Sequence, residues 1–374
     1  MRFPGLAWLA LLAPLTGAAG AADLASGKAA FDRGDYRAAV AEFRPLAEDG
    51  DRHAQAMMGW LHANGLGLPQ DYAAARAWYE KAAAQGLANA QLALGNLYYE
   101  GRLGARDDTR AAEWFWRAAE QGDAQAQYNM GYMLEDPTSP LHDPTAAAAW
   151  YRRAAASGYV PAIRNLGVLY YKGLGLEVDH AEAASLLRRA AEAGDAVAQF
   201  DLGILYDNGI ARDRGEALRW YAAAAEQGYA EAQYNLGLAL LLGEGIARDA
   251  DAAYRWFSRA AAQGLARAQQ NLGWMHENGQ GTARNPSVAL KWYASAARLG
   301  DRDAMFNLAR LHADGDGIER DPVQAFVWYS VAAEFGDADA GRRRLDVAAG
   351  LSVEQRRQAQ AQADDWLARL PRRD

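Results

Sequence analysis

The sequence contains no cysteine, and its only lysines are Lys28, Lys81, Lys172 and Lys291. The missing cysteine excludes a disulfide framework, a lipidated N-terminal cysteine and a thiol nucleophile, so packing alone must hold the fold. With so few lysines, arginine carries most of the positive charge. The formal net charge of −8 leaves no basic footprint for nucleic acid. Catalytic signatures are missing as well: there is no G-x-S-x-G, no H-E-x-x-H and no glycine loop ending in G-K-[ST]. Beyond the N-terminus no run reaches the roughly 18 uninterrupted apolar residues of a membrane span, so the mature chain is expected not to be membrane-embedded.

The N-terminus itself, MRFPGLAWLALLAPLTGAAGAADLA, has Arg2 as a short positive region, an apolar run from Phe3 to Leu15, and small residues leading to cleavage after Ala21 or Ala22. This pattern predicts a signal peptide over 1–22, and hence an exported chain with the bacterial periplasm or the exterior as its destination.

What the rest of the chain holds is one unit repeated. Copies run over 51–86, 87–122, 123–158, 159–194, 195–228, 229–264, 265–300 and 301–336, each closing on a glycine. In AQYNLGLALLLGEG (232–245), Ala232, Leu236, Gly237 and Leu240 fall on one helical stripe. Ala253, Trp256, Phe257, Ala260 and Ala261 fall on a second. Each copy therefore reads as two amphipathic helices separated by a glycine turn. Gly243 and Gly245 stop the first helix, and Asp249 caps the second, as do Asp71, Asp143, Asp179, Asp213, Asn285 and Asp321 in other copies. LGLALLL reads as a buried helix face. A period of this length marks an all-α solenoid of stacked helix pairs.

AQYNLGLALLLGEGIARD with AYRWFSRAAAQG, and AQLALGNLYYEG with AAEWFWRAAEQG, resemble the Sel1-like repeat family, a relative of the tetratricopeptide repeats. The resemblance implies a right-handed α-solenoid with capping elements at both ends. Residues 23–50 read as a degenerate half-repeat, its second half, and 337–374 as a C-terminal cap and tail opened by the capping-box pair Ser352 and Gln355. The third copy replaces its glycine turn by Asp136–Pro140, the fourth its aromatic pair by Leu186 and Leu187, and the fifth has a shortened loop ending at Asp213.

No cofactor, metal site or catalytic set is expected. His62, His276 and His312 share one repeat position with Tyr98, Tyr170 and Tyr206, which reads as an aromatic packing slot. Trp78, Trp114, Trp150, Trp220, Trp256, Trp292 and Trp328 share a register that reads as inter-repeat core, with carbohydrate stacking as the other reading. In the geometry the resemblance implies, the first helices line the concave side. Their outward positions give Trp60, Tyr99, Tyr128, Tyr132, Arg164, Tyr171, Phe200, Tyr234, Leu238, Trp274, Phe306 and Arg310 as candidate partner-binding residues. Aromatics and arginine are what protein hot spots favour. A second row, Asn129, Asn165, Asn235, Asn271 and Asn307, offers amides either to a bound peptide backbone or to groups inside the solenoid. The expected function is a non-catalytic scaffold or adaptor holding a protein or peptide, with service in envelope regulation. The alternative is a peptidoglycan or glycan binder with hydrolase activity of the β-lactamase kind.

Overall fold

The computed structural model describes residues 23–208 and 213–371, among which there are twenty helices and no strand. The expected signal peptide and the core of the fifth copy's loop lie outside the described residues. The chain divides into two units, Met1–Ala190 and Ala191–Asp374.

The first unit opens with α1 (Leu24–Asp32) and α2 (Tyr36–Glu48). Four pairs follow: α3 (Arg52–Asn64) with α4 (Tyr72–Ala84), α5 (Ala88–Tyr99) with α6 (Asp108–Glu120), α7 (Ala124–Glu135) with α8 (Pro144–Ala156), and α9 (Val160–Lys172) with α10 (His180–Glu192), whose last residues belong to the second unit. The second unit continues with α11 (Ala196–Asn208) and α12 (Arg214–Glu226), α13 (Ala230–Leu242) and α14 (Ala250–Ala262), α15 (Ala266–Asn278) and α16 (Pro286–Arg298), and α17 (Arg302–Asp314) and α18 (Pro322–Glu334). It ends with α19 (Ala338–Ala349) and α20 (Val353–Arg369). Within each unit the pairing is that of an α-solenoid: from α1 to α9, and again from α11 to α18, each helix packs on the next.

Small residues set the helix separation. Ala232, Ala253 and Ala260 are fully buried, as are their equivalents in the other copies. The glycine in the middle of the first helix, present in every copy but the eighth, which has Ala309, makes room for one side chain, mostly a ring. A Cβ on Gly273 would stand 2.6 Å from the Tyr293 ring, and one on Gly203 2.5 Å from Tyr221. The roughly 1 kcal/mol that a mid-helix glycine costs is thus exchanged for an aromatic driven against backbone. In the fourth copy Leu187 takes that seat. The second turn glycine works differently: Gly281 has φ +64° and lies against the Ala250 carbonyl, where any side chain would collide.

Every second helix of the eight copies is capped by a side chain at its N-terminus, and Asp107, which accepts from the Arg110 amide at 2.9 Å, joins those expected. In the third copy Asp136 supplies the missing glycine turn by accepting from the Thr138 amide and hydroxyl at 2.8 and 2.7 Å. These two hydrogen bonds hold the Asp136 carboxyl below its usual pKa.

A buried glutamine clasps successive repeats. Gln55, Gln91, Gln127, Gln199, Gln233 and Gln269 each donate Nε2 to the carbonyl eight residues earlier, at 3.0–3.3 Å, on the preceding second helix. Sequence patterning gave no warning of this polar row inside the apolar stripe.

The ends differ from the expectation in one respect. Residues 24–48 form two helices, with Gly27 against Phe43 as Gly59 is against Tyr79, so the segment is a shortened helix pair and not half of one. At the other end, α19 and α20 both pack on α18, Trp366 meets Trp328 at 4.9 Å between ring centroids, and the Ser352–Gln355 capping box forms.

Candidate partner-binding face

The candidate residues occupy three positions on the first helices, and the structure treats the three differently. At the first position the aromatic is covered by the following repeat. Tyr128 is buried at 7% exposure, stacked on Tyr159 at 5.4 Å and on Tyr151 at 5.7 Å. Phe200 meets Tyr229 at 5.1 Å in the same way. Arg267 lies over Tyr234 at 4.4 Å, and Arg343 lies over Phe306 at 5.6 Å. Arg164 donates Nε to Asn165 at 3.2 Å and acts electrostatically on Tyr128. Tyr128 is therefore a junction residue, contrary to expectation. The reason is sequence-distant: the Tyr159 ring, at the start of the following repeat, lies tilted against it.

The second position carries the exposure. Tyr132 and Leu238 are half-buried, and Trp274 is the most open at 38%. Trp60 is half-buried, with Phe31 edge-on at 5.0 Å. Arg310 is not free: it pairs with Glu277 and, at 3.6 Å, with Asp314.

At the third position stand Tyr99, with Arg106 above its ring at 4.2 Å, and Tyr171, beside His180 at 5.5 Å. Acids occupy the same position in other copies, and these were not anticipated. Glu135 accepts from Tyr151 Oη at 2.7 Å and Glu277 from Tyr293 Oη at 2.8 Å. Burial, and then the neighbouring glutamate, push both phenols far above their ordinary pKa, so they stay neutral donors. Tyr99, Phe115, Asn129, Tyr132 and Met133 together line a cleft of about 10 Å³, room for about one water. A wider cleft of about 760 Å³, lined by Gly300–Asp303, Glu334–Gly336 and Leu367, contains none of the candidate residues.

Two members of the asparagine row turn inward. Asn129 is 3% exposed and donates to Asn96 at 3.3 Å, so it is a correction to the candidate list. Asn165 donates to Tyr151 Oη at 3.0 Å, whereas Asn271 donates to the Arg267 carbonyl of its own helix at 2.9 Å and Asn235 is half-buried. Asn307 is half-buried. Of the two readings of this row, the internal one holds for Asn129 and Asn165, whose partners are Asn96 and the Tyr151 hydroxyl.

The tryptophan row packs against the inter-repeat cores as expected, but at their rim. The deepest seat belongs to the next residue: Tyr79, Phe115, Tyr151, Tyr221, Phe257, Tyr293 and Tyr329 are at most 2% exposed. Trp78, Trp114, Trp150, Trp256 and Trp292 are only half-buried, whereas Trp220 and Trp328 are buried. Lys81, Arg117, Arg153 and Arg259 lie 4.1–4.5 Å over four of these rings, one turn on, covering the face a sugar would stack on. The histidine slot is a packing position: His62 and His312 are half-buried, His276 is buried, and desolvation lowers all three pKa values.

One outward residue was hidden in LGLALLL. Leu242, read as buried, is 54% exposed. Its equivalents are Asn64, Glu100, Asp136, Lys172, Asn208, Asn278 and Asp314, all polar, and that contrast was legible in the aligned copies.

Comparison with known proteins agrees with this architecture. The Sel1 repeat profile matches at 52–87, 88–123, 124–159, 160–195, 196–229, 230–265, 266–301 and 302–337. A Sel1 repeat protein from Oxalobacter formigenes is 31% identical with a TM-score of 0.64, covering 78% of this chain and 88% of that one. A protective antigen present in uropathogenic Escherichia coli strains, with an SLR fold, is 30% identical with a TM-score of 0.53, covering 89% of this chain and 80% of that one. No curated protein matches. Sel1 repeat proteins are in general scaffolds for protein–protein interaction and typically non-catalytic. With eight consecutive matches spanning 52–337, the chain belongs to the Sel1 repeat family.

Proposed function

We propose that this chain is an exported adaptor that holds a protein or peptide on the outward face of its first helices. The observation that supports this most is a division of labour between positions. Alanines and ring-accommodating glycines recur from copy to copy, while the half-exposed second position runs Trp60, Asn96, Tyr132, Val168, Ile204, Leu238, Trp274 and Arg310. A rigid frame carrying a changing side chain at a fixed spacing is suited to selecting one partner. Export into the periplasm or beyond, with service in the cell envelope, is part of the same proposal and rests on the N-terminal sequence.

The test is photo-crosslinking in cells from Tyr132 and Trp274, with Trp116, 52% exposed on α6, as the off-face control. Discrete protein adducts from the first two positions alone are the expected result. Recovery of glycan, or adducts no different from the control, overturns the reading. Fractionation and N-terminal sequencing test export separately. A mature chain beginning after Ala21 or Ala22 outside the cytoplasm is expected, and an intact cytoplasmic chain refutes it.

A further inference from the structure

We propose that repeat eight holds a carboxylate of its protein partner between the Tyr329 hydroxyl and the Arg343 guanidinium, the place that the chain's own glutamate fills in repeat seven. The inference rests on the scaffold reading and names a chemistry that the partner brings to the last repeat.

The template is built twice in the second unit. In repeat seven, Glu277 accepts from Tyr293 Oη at 2.8 Å and pairs with Arg310 of the next repeat. In repeat five, Asp207 accepts from Tyr221 Oη at 3.4 Å and pairs with Arg214. Each is a phenol and a guanidinium bridged by one carboxylate. In the first unit the Tyr151 phenol has Glu135 on one side, at 2.7 Å, and the Asn165 amide on the other, at 3.0 Å.

Repeat eight keeps two parts of this triad and lacks the third. Tyr329 takes the ring seat, 1% exposed, but Ala313 stands at the position of Glu135 and Glu277. Tyr329 Oη is buried without a hydrogen-bond partner. At the register of Asn165 stands Arg343 on α19, 5.6 Å over the Phe306 ring, which itself meets Tyr329 edge-on at 5.6 Å. Arg343 and Arg310 are the cations that act on this phenol. Burial outweighs both, so Tyr329 stays a neutral donor.

These groups select the occupant. Among the described residues no carboxylate pairs with Arg343, and Asp314, the acid that acts on Tyr329, is engaged by Arg310 at 3.6 Å. A neutral acceptor would satisfy the phenol alone. A carboxylate serves the phenol with one oxygen and the guanidinium with the other, as Glu277 does one repeat earlier. Ala313 is half-buried and Arg343 exposed, so the place opens to solvent, whereas Glu277 is buried. Repeat one shows that a missing acid alone does not build the site. There Tyr79 goes with Ala63 and Ala93 at the same two positions, and only burial acts on its phenol.

The test uses the full-length mature chain and short alanine–glycine peptides with a trifluoroacetyl cap, read by fluorine NMR. One pair carries a central glutamate or glutamine and an amidated end. The other has no acidic side chain and ends in a free carboxylate or an amide. In at least one pair the carboxylate form should bind about tenfold more tightly than its amide analogue, and the pair that does so tells a side chain from a chain end. Three substitutions borrow the residue that other copies carry at the same position. Tyr329→Phe and Arg343→Asn should each weaken binding about tenfold, since each removes one of the two charge-assisted contacts. Ala313→Glu should abolish it by supplying the carboxylate from within.

Equal binding of acid and amide peptides, or an affinity indifferent to Ala313→Glu or to Arg343→Asn, overturns the proposal. So does displacement of the peptide by inorganic phosphate at lower concentration than by acetate. Protein adducts from Tyr132 and Trp274 with no preference for the acid peptides sink this site and spare the scaffold. A preference for the acid peptides without adducts in cells does the reverse.

Discussion

Repeats six and seven stand side by side in the second unit and differ at one hydrogen bond. In repeat six, Gln233 donates to the Ala225 carbonyl at 3.1 Å while its own oxygen receives Nε2 of Gln263 at 3.0 Å. In repeat seven, Gln269 donates in the same way to Ala261 at 3.2 Å, but the residue matching Gln263 is Leu299, and Oε1 of Gln269 is buried without a partner. The first unit repeats the contrast: Gln91 receives Gln121 at 2.7 Å, whereas Gln127 faces Ser157 and its oxygen is orphaned. Repeats four and eight drop both members, with Ile163 and Ala193 or Met305 and Phe335 in their places. The clasp is therefore a unit of two side chains. Losing one strands a buried acceptor, while replacing both leaves none stranded.

The largest expected effect comes from breaking the complete clasp. Gln233→Met, which borrows the residue of repeat eight, removes two hydrogen bonds, although the Ala225 carbonyl keeps the Gly228 amide at 3.0 Å and Gln263 Nε2 keeps the Gly228 carbonyl at 2.9 Å. It should cost about 2 kcal/mol, two hydrogen bonds at roughly 1 kcal/mol each. Gln269→Met removes an orphan along with a bond and should cost less than half as much. Urea midpoints of the two variants check the difference. Equal losses would mean that the orphaned oxygen carries no penalty.

Mending the incomplete clasp is the next test. Leu299 is 41% exposed, so a longer polar side chain has room there. Leu299→Gln should stabilise the chain by about 1 kcal/mol by satisfying the buried Gln269 oxygen. The gain should vanish in a Gln269→Met background, and Ser157→Gln should give a similar gain through Gln127. A gain that survives without Gln269 would show that it arises from surface polarity and not from the clasp.

How far the sequence could see follows from the same pair of repeats. The 36-residue period, the caps and the ring-accommodating glycines are local signals, and the helices fall where they point. The clasp was not legible, because a glutamine on a helix reads as a solvated residue until the carbonyl of the preceding helix is placed beside it. Tyr128 and Asn129 failed for the same reason. Their burial is set by Tyr159 and Asn96, one repeat away, while a helical wheel reports only on its own helix. Which of two adjacent aromatics lies deepest was not legible either, because both fit the same stripe almost equally well, a rotation of about 100° apart. Trp274 and Leu238 did come out on the open face, where exposure depends on the helix alone.

The smallest effect, and the one that sharpens the comparison most, is acid. Repeat seven carries His276 where repeat six carries Leu240. His276 is buried, its Nε2 lies 3.3 Å from Tyr254 Oη, and its Nδ1 has no partner. Desolvation lowers its pKa below the ordinary 6.5, outweighing the nearby Ala283 backbone, which raises it. A histidine whose folded pKa is depressed binds a proton more readily when unfolded. Its contribution to stability is therefore complete above about pH 6.5 and declines as pH falls toward the folded value. Acidification from pH 7.5 to 5.5 should thus raise hydrogen exchange in α15, of the incomplete clasp, more than in α13. His276→Tyr, the residue of three other copies at that position, should remove the excess. His62 and His312 are depressed by the same desolvation, so the whole chain should still lose stability in acid after that substitution, only with α13 and α15 now falling together. If α15 remains the more labile in the His276→Tyr variant, the orphaned glutamine oxygen and not the imidazole sets the weakness of repeat seven, and Leu299→Gln is then the substitution that should level the two.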